Sequence, residues 1–238
     1  MRQEEDWIVL RQLLAHMLGE RRPEELASAL LEHFGSLSSL VESISMHNDS
    51  PPISDNLRML LSMVPELCQR RELDRIGPNP LMNTLSAACR YAAALYIGAQ
   101  YEQICLLCLA ADFRLKEHRM LIEGGLREVP FYPRRLMQEA LRVDAQAIIL
   151  CHNHPSGWAF FSEADVAATR EFLSLCAQIQ LPLLDHLLIA NKQVSSMRSR
   201  AYIPERNWSA CSPLMPSVAQ WRGASSDGRF EILPPSKS

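Results

Sequence analysis

The chain has 238 residues, 47% of them hydrophobic, and a formal net charge of −3. That length and apolar content predict one sizeable core plus a smaller one, and the slight negative charge supplies no general field to concentrate nucleic acid or acidic membranes at the surface. Seven scattered cysteines and the lack of a charged-then-apolar leader argue against a secreted disulfide framework and point to a reducing cytoplasm, while no apolar run approaches the roughly 20 residues that span a bilayer.

From Asp6 to about Cys68 apolar residues recur at helical spacing, first through Ile8, Leu10, Leu13, Leu14 and Leu18, then through Leu26, Leu30, Leu31 and Phe34. Gly35 is placed as a stop, and Ser36 or Ser38 as the cap of a further short helix through Leu40 to Ile44. After the break at Pro51-Pro52, helix resumes near Asp55 and runs toward Arg71, until Gly77-Pro78-Asn79-Pro80 punctuates the chain. Residues 1–77 therefore read as a small helical domain. Beyond it the pattern predicts a long Ala-rich helix from Leu81 to about Gln103, a buried strand from Ile104 to Ala110 and a second strand from Leu115 to Ile122. A helix from Pro133 and an apolar strand from Ala147 to Cys151 follow, then a helix from Glu163 to Gln180 and a strand from Leu183 to Ala190. Strands alternating with helices over residues 78–204 predict an α/β layered domain. Residues 205–238 lose periodicity and gather Ser, Pro and Gly, predicting a polar, disordered tail.

The chemistry concentrates at the end of the third strand. His152 and His154 lie two apart, and in extended backbone i and i+2 point to one face, so the two imidazoles can converge. Ser162-Glu163-Ala164-Asp165 follows, where a serine caps a helix and an acidic residue at the third helical position completes a capping box. A helix starting over the strand end brings the Asp165 carboxylate to the same point. The result is an N,N,O set for zinc at about 2.0–2.2 Å, with the fourth position left for water. Ser162, beside the ligand, is placed to donate to a developing oxyanion.

Together, His152-Asn153-His154-Pro155-Ser156-Gly157 with Ser162 and Asp165 matches the H-x-H-x7-S-x-x-D pattern of the JAMM (MPN+) metalloproteins. With the Ala-rich helix before it and Leu184-Asp185-His186-Leu187-Leu188-Ile189 after it, the segment from about Leu81 to Ile203 closely resembles the bacterial RadC family. The resemblance implies a sheet sandwiched by helices, similar to cytidine deaminases, and zinc-dependent cleavage of a peptide or isopeptide bond. It implies His152, His154 and Asp165 as zinc ligands and Ser162 as support for the tetrahedral intermediate.

The resemblance also implies a glutamate base five residues before a glycine. With Tyr132-Pro133-Arg134 in the place of the family's H-P-R, Gly124 is that glycine and Arg119 stands where the base belongs. Glu117 and Glu123 share strand parity with Arg119, and either presents a carboxylate if the register bulges. An arginine in that slot repels a metal and pairs with Asp165. The alternative to an enzyme is therefore a catalytically impaired zinc-binding interaction module, linked to DNA repair only by family association.

Trp158-Ala159-Phe160-Phe161 replaces the family's polar loop, either as a hydrophobic substrate rim or as core packing. Cys105 and Cys108, three apart in a strand, face opposite sides, and Cys151 points away from the imidazoles. Asp185 is placed to orient a ligand or the neighbouring His186. His118, with His16, His33 and His47, reads as a surface or capping residue. The first 77 residues resemble the RadC helix-hairpin-helix region without its Gly-x-Gly hairpin, and residues 1–80 carry 8 Lys and Arg against 13 Asp and Glu. Fluorescence anisotropy with duplex DNA at physiological salt is accordingly expected to show no tight binding; a salt-sensitive, sub-micromolar affinity contradicts this.

Overall fold

The computed structural model describes residues 2–45, 53–121, 133–191, 193–203, 221 and 229–231. The Pro51-Pro52 break, Glu123, Gly124, Tyr132 and most of the 205–238 segment lie outside them. The chain divides into two compact units, Met1–Arg71 and Glu72–Ser238. No helix among the described residues is long and apolar enough to cross a membrane.

The first unit is helical: α1 (Arg2–Gln12) passes through a π-helical turn at Leu13–Met17, then come α2 (Pro23–Phe34), α3 (Leu37–Ser45) and the first turns of α4 (Asp55–Ile76). Its core is the expected leucine stripe, with Leu10, Leu14, Leu30, Leu40, Leu57 and Leu61 all buried. Gly35 ends α2 at φ +80, a left-handed position that a side chain would strain, and its N–H reaches the Leu31 carbonyl at 2.8 Å. Ser36 Oγ then accepts from the Ser39 N–H at 3.1 Å, starting α3.

In the second unit the helices are α5 (Leu85–Leu95), α6 (Pro133–Arg142) and α7 (Glu163–Gln178). The strands are β1 (Ile104–Leu109), β2 (Leu115–Leu121), β3 (Ala147–Asn153), β4 (Leu183–Ala190), β5 (Gln193–Ser196) and β6 (Arg229–Glu231). They form one mixed sheet in the order β2-β1-β3-β4-β5-β6. Only β3 and β4 pair in parallel, joined by α7 as the crossover; the other neighbours are antiparallel. Every residue of β1, β3 and β4 is buried, because helices cover both faces. Cys105, Leu107, Ile149 and Cys151 pack toward α5, while Leu106, Cys108, Ile148 and Leu150 pack toward Leu136 of α6 and Phe172 of α7. The α/β expectation therefore holds, with helices on either side of the sheet.

Two expectations change. The Ala-rich helix is shorter than its composition suggests: Thr84 caps it by accepting from the Ala87 N–H at 3.2 Å, and it ends at Leu95, before Gly98 at φ +77. Residues 101–103 are thereby released into an irregular segment ahead of β1. The segment expected as a structureless tail supplies β6, which pairs with β5, and the buried Trp221.

Trp221 is held by Asp185. The fully buried Asp185 carboxylate accepts from Trp221 Nε1 (3.0 Å), Ser196 Oγ (2.5 Å), the Arg198 N–H (3.0 Å) and the His186 N–H (2.7 Å). Burial pushes this carboxyl above its usual range while Ser196, Arg198 and Trp221 pull it back. Asp185→Asn places two N–H groups among donors that need an acceptor. It is expected to cost about 2–4 kcal/mol in urea unfolding, where a loss under about 0.5 kcal/mol would show the cluster to be unimportant.

Candidate metal centre

β3 is still paired on both sides at His152, so strand alternation sends His152 to the α6/α7 face, in the row of Leu106 and Leu150. His154 follows at the open end of the strand, its N–H held by the Ile189 carbonyl at 2.9 Å. Gly157, at φ +80, turns the chain back, and the Trp158 carbonyl comes to 2.9 Å from His154 Nδ1. Across the gap, Ser162 caps α7 with a complete capping box: Ser162 Oγ accepts from the Asp165 N–H at 3.0 Å, while Asp165 Oδ2 accepts from Ser162 N and Ser162 Oγ, both at 2.7 Å. With Oδ2 so engaged, Asp165 Oδ1 stands 3.5 Å from His152 Nε2, and Oδ2 lies 3.7 Å from His154 Nε2.

The two imidazole Nε2 atoms are 3.1 Å apart, and their protonation follows from their partners. A carbonyl can only accept, so His154 Nδ1 carries a proton for Trp158 O, leaving Nε2 as a lone pair. His152 Nδ1 faces His186 Nε2 at 2.7 Å, and His186 Nδ1 faces Thr169 Oγ1 at 2.6 Å. Burial and the neighbouring His152 hold His186 well below the usual imidazole range, so this ring is neutral. Thr169 donates to the Asp165 carbonyl at 2.6 Å, which orients the chain of donors toward it and leaves His152 Nε2 as a second lone pair. With both rings neutral, two lone pairs facing each other at 3.1 Å repel, and a proton or a metal ion between them removes the repulsion.

Glu102 completes the cluster. One ligand atom from each of Glu102, His152, His154 and Asp165 lies within 4.8 Å of the others. Two neutral nitrogens and two carboxylates carry a charge of about −2, which one proton only half neutralises and a divalent ion of borderline hardness matches. Burial pushes the Asp165 carboxyl up, but the adjoining His152 ring and the donors of Ser162 outweigh it, and the carboxyl lies well below its usual range. The residues present thus fit a divalent metal.

Glu102 is absent from the residues selected on sequence, where it falls within the overlong helix. What places it is Asn153, between the two histidines. This buried carboxamide accepts from the Gln103 N–H at 2.8 Å through Oδ1 and donates to the Tyr101 carbonyl at 3.0 Å through Nδ2, gripping the backbone on both sides of residue 102. The readable signal is Gly98, a helix terminator whose consequence is that the following residues belong to a loop.

Arg119 does not stand at the centre. Its guanidinium pairs with Glu117 at 2.8 Å and Glu139 at 3.4 Å, and Arg142 adds contacts to Glu117 at 2.6 Å and Glu139 at 3.0 Å. The Arg142 hydrogen bond depresses the Glu117 carboxyl, a poor setting for a base. Asp185 also takes a different part from the expected one. A register shift in the β3–β4 pairing sets Asp185 opposite Ile149 and His186 opposite Leu150, so His186, not Asp185, supports His152. Trp158 and Phe160 are exposed beside the centre, whereas Phe161 packs against the rings of both His152 and His186. Cys105 and Cys108 occupy opposite faces, with burial pushing the Cys108 thiol up to about 11. Cys151 is buried on the face away from His152. His118 is half-buried, 2.8 Å from the Tyr91 hydroxyl.

Residues 82–202 match the RadC-like JAB domain. The chain belongs to the RadC family. It is 32% identical over 180 residues to the UPF0758 protein Mpe_A2695 of Methylibium petroleiphilum, an alignment covering 75% of this chain and 81% of that one. In this RadC-like domain the His-x-His and Ser-x-x-Asp residues come from the end of β3 with the residue just after it and from the start of α7, which meet at the cluster.

Asn153→Ala leaves the Gln103 N–H and Tyr101 C=O without their partner. It is expected to lower stability by about 1–3 kcal/mol and to speed hydrogen exchange at the Gln103 amide; unchanged exchange there contradicts the clamp. Glu117→Gln, at an exposed pair, is expected to cost under about 1 kcal/mol in denaturant unfolding and to leave metal content unchanged.

Proposed function

We propose that this chain is a zinc-dependent hydrolase of amide-type bonds, acting on a peptide or isopeptide substrate, with residues 78–204 as its hydrolase domain and residues 1–77 as a helical accessory domain. The observation that carries the reading is the pair of imidazole Nε2 atoms 3.1 Å apart beside two carboxylates, with four possible ligand atoms within 4.8 Å of one another. In this reading His152 and His154 hold the ion through Nε2 and Asp165 through Oδ1. A bound zinc supplies a Lewis acid that polarises a carbonyl and lowers the pKa of water toward neutrality.

The protein's own groups do the rest. The Glu102 carboxylate, fixed by the Asn153 clamp, takes the proton from the attacking water and returns it to the leaving amine. The exposed Ser162 hydroxyl, which donates to Asp165 Oδ2, turns to the oxygen that becomes negative in the tetrahedral state. The exposed Trp158 and Phe160 rings offer an apolar surface to a substrate side chain. Six free cysteines among the described residues, five of them buried, suit a reducing cytoplasm. The rival reading, a zinc-bearing interaction module, rested on Arg119 displacing the base, and it loses that support with Arg119 paired to Glu117 and Glu139.

The purified protein is expected to carry about one zinc per chain. His154→Ala should lose it; full occupancy in that variant counts against the assigned ligands. Glu102→Gln should keep the zinc and lower hydrolysis of a generic peptide or isopeptide probe by about 10²–10⁴-fold. Loss of zinc in Glu102→Gln would instead make Glu102 a fourth ligand.

A further inference from the structure

We propose that Thr169 and His186 form a relay that sets the tautomer of His152, and thereby presents its Nε2 to a cation as a lone pair rather than as an N–H. The inference rests on the metal-binding reading above and adds two positioning residues that lie outside the donor cluster. It starts from one short contact. Thr169 Oγ1 is 2.6 Å from the Asp165 carbonyl oxygen, and because that oxygen only accepts, the single hydroxyl proton must lie between them. The same Oγ1 is 2.6 Å from His186 Nδ1, and with its proton committed it can only accept there, so His186 carries its proton on Nδ1. The neutral ring then offers a lone pair at Nε2. His152 Nδ1, 2.7 Å away, has to donate to it, and His152 Nε2 is left bare toward His154 and Asp165.

Each link is forced by the one before, and no solvent can take over a lost partner: Thr169 is 1% exposed and His152 and His186 2% each. The relay also closes on itself. It begins at the peptide carbonyl of Asp165, crosses from α7 to β4 and then to β3, and ends at the ring whose Nε2 faces the Asp165 carboxylate. Two of the three proposed ligands are thus tied together by one directional circuit. Without the hydroxyl, His186 gains nothing from a proton on Nδ1. Its tautomer reverses, it donates from Nε2 to His152 Nδ1, and His152 places an N–H where the ion belongs.

The test compares zinc affinity, by competition with a chromophoric chelator, among the wild type, Thr169→Val and Thr169→Ser. It is joined to ¹⁵N NMR of the imidazoles in the metal-free wild type. Thr169→Val, which keeps the shape and removes the hydroxyl, is expected to weaken zinc binding by about 10–100-fold. Thr169→Ser, which keeps the hydroxyl, should stay close to the wild type. The wild-type spectrum should show both His152 and His186 protonated at Nδ1. Wild-type affinity in Thr169→Val, or an equal loss in both variants, overturns the relay, since the first removes the need for the hydroxyl and the second assigns the loss to packing. If the wild type binds no zinc, the metal-binding reading fails separately and the spectrum alone decides the relay. If Thr169→Val does not fold, the spectrum again decides: a proton on His152 Nε2 overturns the proposal and one on Nδ1 upholds it.

Discussion

Two imidazole nitrogens, each stripped of its proton by a partner on the far side of its ring, face each other across 3.1 Å. Such a contact is repulsive as it stands, and a cation is the simplest thing that removes the repulsion. Much of the second unit serves to hold this arrangement. β3 pairs with β1 on one side and β4 on the other, so His152 has little freedom to swing away. Gly157 turns the Trp158 carbonyl back onto His154, and the capping box at the head of α7 fixes Asp165 against both rings.

The capping box gives one carboxylate two tasks on its two oxygens. Oδ2 takes two donors from Ser162, which anchors the helix start and contributes about 1 kcal/mol, as such caps typically do. Oδ1 is left toward His152, so the feature that begins the helix also aims the charge. Removing Asp165 would therefore disturb the helix as well as the cluster. The Asn153 carboxamide is used with similar economy: one side chain between two candidate ligands grips the backbone on either side of Glu102 and brings a carboxylate from another segment to the same point.

The parts legible in the sequence are those governed by local rules. Strand alternation puts His152 on one face, the Ser-x-x-Asp spacing specifies a cap, and the leucine periodicity of the first unit maps directly onto its core. The parts not legible depend on long-range partners. Glu102 reaches the centre only because Asn153, some 50 residues later, holds its neighbours, and no local pattern announces that contact. Ala-rich composition extends the expected α5 too far because alanine's helix propensity says nothing of where a tertiary contact takes over from the helix. Alternation fixes only that Asp185 and His186 face opposite ways; which one faces the centre depends on the register of β3 against β4. The short β6 and Trp221 carry no local signal, because their pairing is with β5 and with Asp185, far away in sequence.

X-ray absorption at the zinc edge of the zinc-loaded protein tests the central claim most directly, since it reads the donor atoms themselves. Light N and O donors only, at about 2.0–2.2 Å with a histidine scattering signature, are the predicted result. Sulfur donors near about 2.3 Å, or zinc bound without histidine, would place the ion on other residues and leave the facing imidazoles unexplained.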